Sequence, residues 1–308
     1  MAIRPVNMNQ TQRRLFGPNF EAQHIDCSAG NLFVLVGGDG PPLLLLHGYP
    51  QTSAMWHRVA GALAQHFRLI IPDLRGYGDS SKPTSQTNHA SYAKRAMALD
   101  VVEIMHALGH DRFFVAGHDR GGRVTHRLAL DHSERLAAAC VMDIVPTLHV
   151  FENTDQALAS AYYHWFFLIQ PAGLPERLIG NDPDYYLAHK FASGCRSDNS
   201  LSCDALDEYR RCFRHPETIR GSCEDYRAAA SIDLEHDRAD RGRKIDTPLL
   251  VLWGDAAFVH RHYDVLQVWS DFTNNVTGHA VPSGHYLPEE TPDSVIQALT
   301  EFYAGHHL

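Results

Sequence analysis

Residues 116–123, Ala116-Gly117-His118-Asp119-Arg120-Gly121-Gly122-Arg123, close the apolar run FFVA and open a stretch with helical periodicity over 121–130. A short apolar run of this kind reads as a strand buried on both faces. Small residues at 117 and 121 permit a sharp strand-to-helix turn that lifts the side chain between them into the open, the G-x-nucleophile-x-G form with Asp119 in the nucleophile's place. A local reading competes with this one: aspartate is a good helix N-cap, and Asp119 stands directly before the helical pattern. Two arginines, Arg120 and Arg123, follow within one turn and give the stretch its concentrated positive charge.

Working outward from this turn, strand and helix patterns alternate. Apolar runs at 32–36, 42–48, 68–73, 112–117, 136–145, 247–254 and 276–282 predict strands, and 55–67, 92–108, 121–130 and 293–303 predict helices. Strands that are apolar throughout and separated by helices imply a mostly parallel sheet covered on both faces, an α/β fold. Between 146 and 241 the pattern changes to aromatic, helical and loop-rich sequence with no clear strand. The expected organisation is a core of 1–145 and 242–308 with a helical cap of 146–241. Such an insertion can roof the carboxyl ends of the strands, where open α/β sheets place ligands.

Bulk properties narrow the function. The net charge of −9 argues against non-specific nucleic-acid binding, which needs a concentrated basic face. No apolar run approaches a membrane span, and the N-terminal MAIRPVNMNQTQRRLFG carries no apolar signal core, so no membrane partner and a soluble, cytoplasmic protein are expected. The six cysteines form no C-x-x-C pair and suit reduced thiols, and the 21 histidines show no metal-binding spacing. Neither a metal nor another cofactor is expected. An anionic ligand would need a local cationic pocket in so acidic a chain.

Three further features stand at matching places in the strand order. HGYP (47–50) follows the early strand, where an oxyanion-hole loop belongs; SGH (283–285) follows the last strand, where a catalytic base belongs; Asp143 lies at the end of the strand after the turn. Nucleophile, acid and base in that order are the arrangement of an α/β-hydrolase. More specifically, the chain resembles the fluoroacetate dehalogenases, also called haloacetate dehalogenases. The motifs that carry the resemblance are HDRGGR for H-D-R-x-x-R, YHW at 163–165, CEDYRAAA around Tyr226, and SGHYLPEE around His285. It spans about residues 30–303, and the first twenty residues fall outside it.

Asp119 also meets a chemical requirement by itself. A carboxylate that displaces a halide from saturated carbon becomes an ester, which water can hydrolyse at its carbonyl, whereas a serine would leave a stable ether. His285 would activate that water, and the backbone N–H groups of Tyr49 and Arg120 would hold the oxyanion. For the acid, Asp255 follows Gly254 too closely, and the resemblance implies Asp143. It also implies a halide site of His164, Trp165 and Tyr226 and a homodimer; neighbouring Tyr162 and Tyr163 could also line the pocket, Tyr162 ahead of Tyr163, which fits packing better. Arg120 and Arg123, three apart, are expected to grip the carboxylate of a small-molecule haloacid. In the competing reading one of them, Arg123 before Arg120, only pairs with a cap carboxylate. An epoxide hydrolase or haloalkane dehalogenase would share Asp119 and His285, although those enzymes usually carry tryptophan where Arg120 stands. A hydrolase-fold ligand receptor is the remaining alternative.

Overall fold

The computed structural model describes residues 1–197 and 200–308. Nine strands form one sheet: β1 (Ile3–Val6), β2 (Phe20–Cys27), β3 (Gly30–Gly37), β4 (Pro42–Leu46), β5 (Arg68–Pro72), β6 (Phe113–His118), β7 (Leu136–Met142), β8 (Leu249–Gly254) and β9 (Val276–Val281). Their spatial order is β1-β2-β3-β5-β4-β6-β7-β8-β9. The first three strands and the β3–β5 pairing are antiparallel, and every pairing from β5 through β9 is parallel. The central strands β6, β7 and β8 are buried along their whole length because helices cover both faces. Edge strand β9 alternates between half-buried and exposed positions, as a strand with one covered face should.

The seven strands expected from apolar runs are present, and three differences have physical causes. Strands β1 and β2 were missed. β2, FEAQHIDC, is a half-exposed antiparallel strand with buried Phe20, Ala22 and Ile25 among polar residues, so it has no apolar run, and β1 is a four-residue exposed edge. The strand expected over 136–145 stops at Met142, because Asp143 turns to a φ of 52°. The N-terminal residues outside the resemblance are built into the fold. Asn9 and Gln12 form a capping box on helix Gln10–Phe16, and both side chains donate to Glu208 of the helix Cys203–Phe213.

Among the described residues, the segment between β7 and β8 holds eight helices, from Thr147–Glu152 to Ile232–Ala239, and no strand. Its return to the core is held by buried Arg127, which donates to Asp237 and Asp240. No helix among the described residues is long and apolar enough to cross a membrane.

The turn between β6 and the helix Arg120–Asp131 is packed directly against the loop after β4. Gly121 N–H donates to His47 O at 2.9 Å, and a Cβ at Gly121 would strike the carbonyl oxygens of Leu46 and His47. A Cβ at Gly117 would strike Gly121 O and the Thr125 hydroxyl in the same way. Gly121→Ala is therefore expected to cost about 2 kcal/mol or more of stability, through overpacking against backbone that cannot yield. Gly61→Ala, in a helix where nothing lies within 4 Å of the new methyl, should be neutral or stabilise by up to ~1 kcal/mol. Paired thermal melts check both signs.

Candidate active site

Asp119 sits at φ 47° and ψ −112°, a strained conformation for a residue with a side chain. It makes no capping bond to the helix that it precedes, so the N-cap reading of this residue fails. Its Oδ1 instead accepts from the backbone N–H of Tyr49 at 2.8 Å. Burial raises the carboxyl's pKa, but His285, His118, Arg120 and Arg123 outweigh that and hold it below the ordinary range. Asp119 is thus a buried, ionised carboxylate with one oxygen anchored and the other facing the cavity.

His285 lies across from that second oxygen, with Nε2 4.0 Å from Asp119 Oδ2. Its Nδ1 is 2.6 Å from Asp143 Oδ2, and Asp143 Oδ1 accepts from Gly254 N–H at 3.1 Å. The left-handed backbone that ends β7 early is what aims Asp143 at the ring. Burial pushes the Asp143 carboxyl upward, opposed by the His285 contact. Asp255, the alternative acid, is 40% exposed and pairs with Arg196. His118 adds support: burial pushes it down to about 3, and this neutral ring meets the His285 carbonyl oxygen at 2.6 Å.

The two arginines differ. Arg120 is completely buried and donates through Nε and Nη2 to Asp225, at 2.8 Å to each carboxylate oxygen. Asp225 also accepts from Lys94 and from the Tyr77 hydroxyl. It is therefore Arg120, and not Arg123, that pairs with a cap carboxylate. Arg123 donates only to Val145 O and the Thr147 hydroxyl, at 3.1 and 3.0 Å, and no carboxylate pairs with it among the described residues. Arg120 Nη1 and Arg123 Nε are buried without a hydrogen-bond partner. Both guanidinium groups pack on cap aromatics, Arg120 4.2 Å from the Tyr226 ring and Arg123 4.5 Å from the Trp165 ring.

A cavity of about 550 Å³ lies between core and cap, lined among others by Asp119, Arg123, His164, Trp165, Tyr226 and His285. Arg120 is not part of its lining, and its Nη1, without a hydrogen-bond partner among the described residues, is buried. The Tyr226 hydroxyl is likewise buried and unpartnered. Tyr162 and Tyr163 both line the cavity, and Tyr162 stacks on Trp165 with ring centres 5.8 Å apart. Sequence reading missed two site residues. Asp225 neutralises Arg120, and Lys190 lines the cavity from the helix Pro183–Gly194. A signal for Lys190 exists: no acidic residue stands three or four positions away, where a solvated helical lysine commonly finds one.

The chain belongs to the α/β-hydrolase fold family, whose model matches residues 41–292. It is 44% identical to a fluoroacetate dehalogenase of Burkholderia sp., over 92% of this chain and 93% of that one. It is 34% identical to a soluble epoxide hydrolase of Corynebacterium sp. (strain C12), over 88% and 92% respectively. Among solved structures, an alpha/beta hydrolase from Nostoc sp PCC 7120 superimposes with a TM-score of 0.91 at 51% identity, covering 92% of this chain and 98% of that one.

The geometry makes a sharp distinction between the two candidate acids. Asp143→Asn is expected to lower hydrolytic turnover by roughly 10³–10⁴, because the amide can hold His285 in the wrong tautomer. Asp255→Asn should stay within about threefold of the parent, since it disturbs only an exposed ion pair. Steady-state kcat of the two variants decides between them.

Proposed function

We propose that the protein is a hydrolase acting on carbon–halide bonds, converting small 2-haloacids such as haloacetate to the 2-hydroxy acid and halide. The observation that carries this reading is the buried cation Arg123, with no carboxylate paired to it among the described residues, in a cavity whose nucleophile is a carboxylate. A neutral epoxide or haloalkane would leave that buried charge without a counter-ion once Asp119 has become a neutral ester, at a cost in desolvation. A haloacid supplies one. The 44% identity to a fluoroacetate dehalogenase points the same way. A carboxylate facing His285 at 4.0 Å, with Asp143 bonded behind that ring, favours an enzyme over a receptor that only binds.

The chemistry follows from which oxygen is anchored. Asp119 Oδ1 is held by Tyr49 N–H, so Oδ2 attacks the α-carbon as the halide leaves with the bonding electrons. Oδ1 is then the ester carbonyl, held by the Tyr49 N–H, and the Arg120 N–H is the second donor expected as it becomes an oxyanion. His285, its proton on Nδ1 directed at Asp143, takes a proton from water through Nε2 while the water oxygen adds to Asp119 Cγ. Collapse of the tetrahedral species returns that proton to the departing hydroxy acid. Asp119 is regenerated as the carboxylate with one oxygen from water, and the second proton of that water is released to solvent. The substrate carboxylate meets Arg123, with the charge of buried Arg120 behind it, and the departing halide meets donors from His164, Trp165 and Tyr226.

Halide release from haloacetates, followed by ion chromatography, tests the activity, and His285→Asn tests the mechanism. This variant should alkylate but not hydrolyse, so mass spectrometry should find a carboxymethyl ester on Asp119. Retained substrate binding without that ester would overturn the assignment.

The arginines should separate as well. Arg123→Leu is expected to cut kcat/KM for haloacetate at least about a hundredfold, ~2.7 kcal/mol, while haloacetamide, which has no carboxylate, is much less affected. Arg120→Leu should in addition lower stability, because it takes the bidentate partner from buried Asp225 and leaves that carboxylate to Lys94 and Tyr77. Equal loss of both substrates in Arg123→Leu would show that this residue does not select the acid.

A further inference from the structure

Lys190 stands near the end of the helix Pro183–Gly194, with its amine turned into the cavity rather than to solvent. Its Nζ lies 3.2 Å from His164 Nδ1, and no carboxylate pairs with it among the described residues. Asp119 is the anion whose field it feels. The lysine thus holds a position beside the nucleophile and spends its contact on a histidine.

That contact determines where the histidine carries its proton. Burial, with Lys190, His285, Arg120 and Arg123 nearby, pushes His164 well below the ordinary histidine range, so the ring is neutral and bears one N–H. An ammonium has donors and no lone pair. Nδ1 must accept from it, which places the ring proton on Nε2. The ring itself lines the cavity, 5.7 Å from the Tyr226 ring and stacked at 6.2 Å on Tyr49. With the other tautomer, Nε2 would present a lone pair to an anion.

We infer that Lys190 is a positioning residue that fixes His164 as an Nε2–H donor to the departing halide and strengthens that donor with its charge. This rests on the dehalogenation reading above. Fluoride gains most from the arrangement, because it leaves poorly and accepts hydrogen bonds strongly. The expected consequence is selectivity among leaving groups, with little effect on grip of the acid, which belongs to Arg123 and Arg120. Burial lowers the Lys190 amine to about 8, so the ammonium form prevails at pH 7 and the measurement belongs there.

Lys190→Met keeps length and apolar bulk but removes the donor and the charge. At pH 7 its kcat should fall at least about tenfold with fluoroacetate and by less than about threefold with bromoacetate, and KM for either acid should move less than about threefold. Equal losses on the two acids, or an unchanged fluoride-to-bromide ratio, would overturn the inference. Nitrogen NMR of ¹⁵N-histidine-labelled wild-type protein, with the His164 signals identified by their absence in His164→Gln, supplies a second readout. An unprotonated Nδ1 and a protonated Nε2 are expected, and a proton on Nδ1 would overturn the inference whatever the kinetics show. Wild-type protein that released no halide from either acid would instead remove the dehalogenation reading, leaving the NMR signal to decide the lysine–histidine contact alone.

Discussion

The site depends on the close approach of two backbones, where the turn after β6 is pressed against the loop after β4. Gly121 N–H on His47 O ties them together, and the absence of side chains at 117 and 121 allows the distance. This contact holds Asp119 at a positive φ and brings its carboxylate to Tyr49 N–H. Backbone strain of this kind persists only where surrounding structure over-determines it. Here a fully buried strand on one side and a buried helix on the other do so.

Around that turn the protein separates cations that are neutralised from those that are left free. Arg120 and Lys94 share Asp225, and Lys94 also lies 3.7 Å from Asp233, so this half of the cluster is balanced and rigid. Arg123 and Lys190 have no such partners among the described residues and line the cavity together with Asp119. In a chain of net charge −9, these two cations offset the field of the ionised Asp119. Asp225 matters here as a spacer of charge. By occupying Nε and Nη2 of Arg120 it leaves a single directed donor and almost no net charge.

The cap is more than a lid on this arrangement. It contributes Trp165 under Arg123, Tyr226 against Arg120, and the Asp225 that pairs with Arg120, so core and cap share one electrostatic unit. The N-terminal helix, bonded to Glu208, ties a further cap helix to the front of the chain.

The sequence by itself determined the α/β alternation, the inserted helical segment and the strand-turn-helix around Asp119, since each rests on local signals: unbroken apolar runs, helical periodicity and glycines at a fixed spacing. It also placed HGYP, Asp143 and His285 after strands β4, β7 and β9. β1 and β2 escaped because a half-exposed antiparallel strand shows no apolar run. Only the tertiary structure decided which aspartate faces His285, because the difference lies in the left-handed turn of Asp143 and in the distant Arg196 that occupies Asp255. It also decided which arginine is neutralised. Asp225 lies 105 residues from Arg120 along the chain, and no spacing rule connects two side chains that meet only when the cap folds over the sheet.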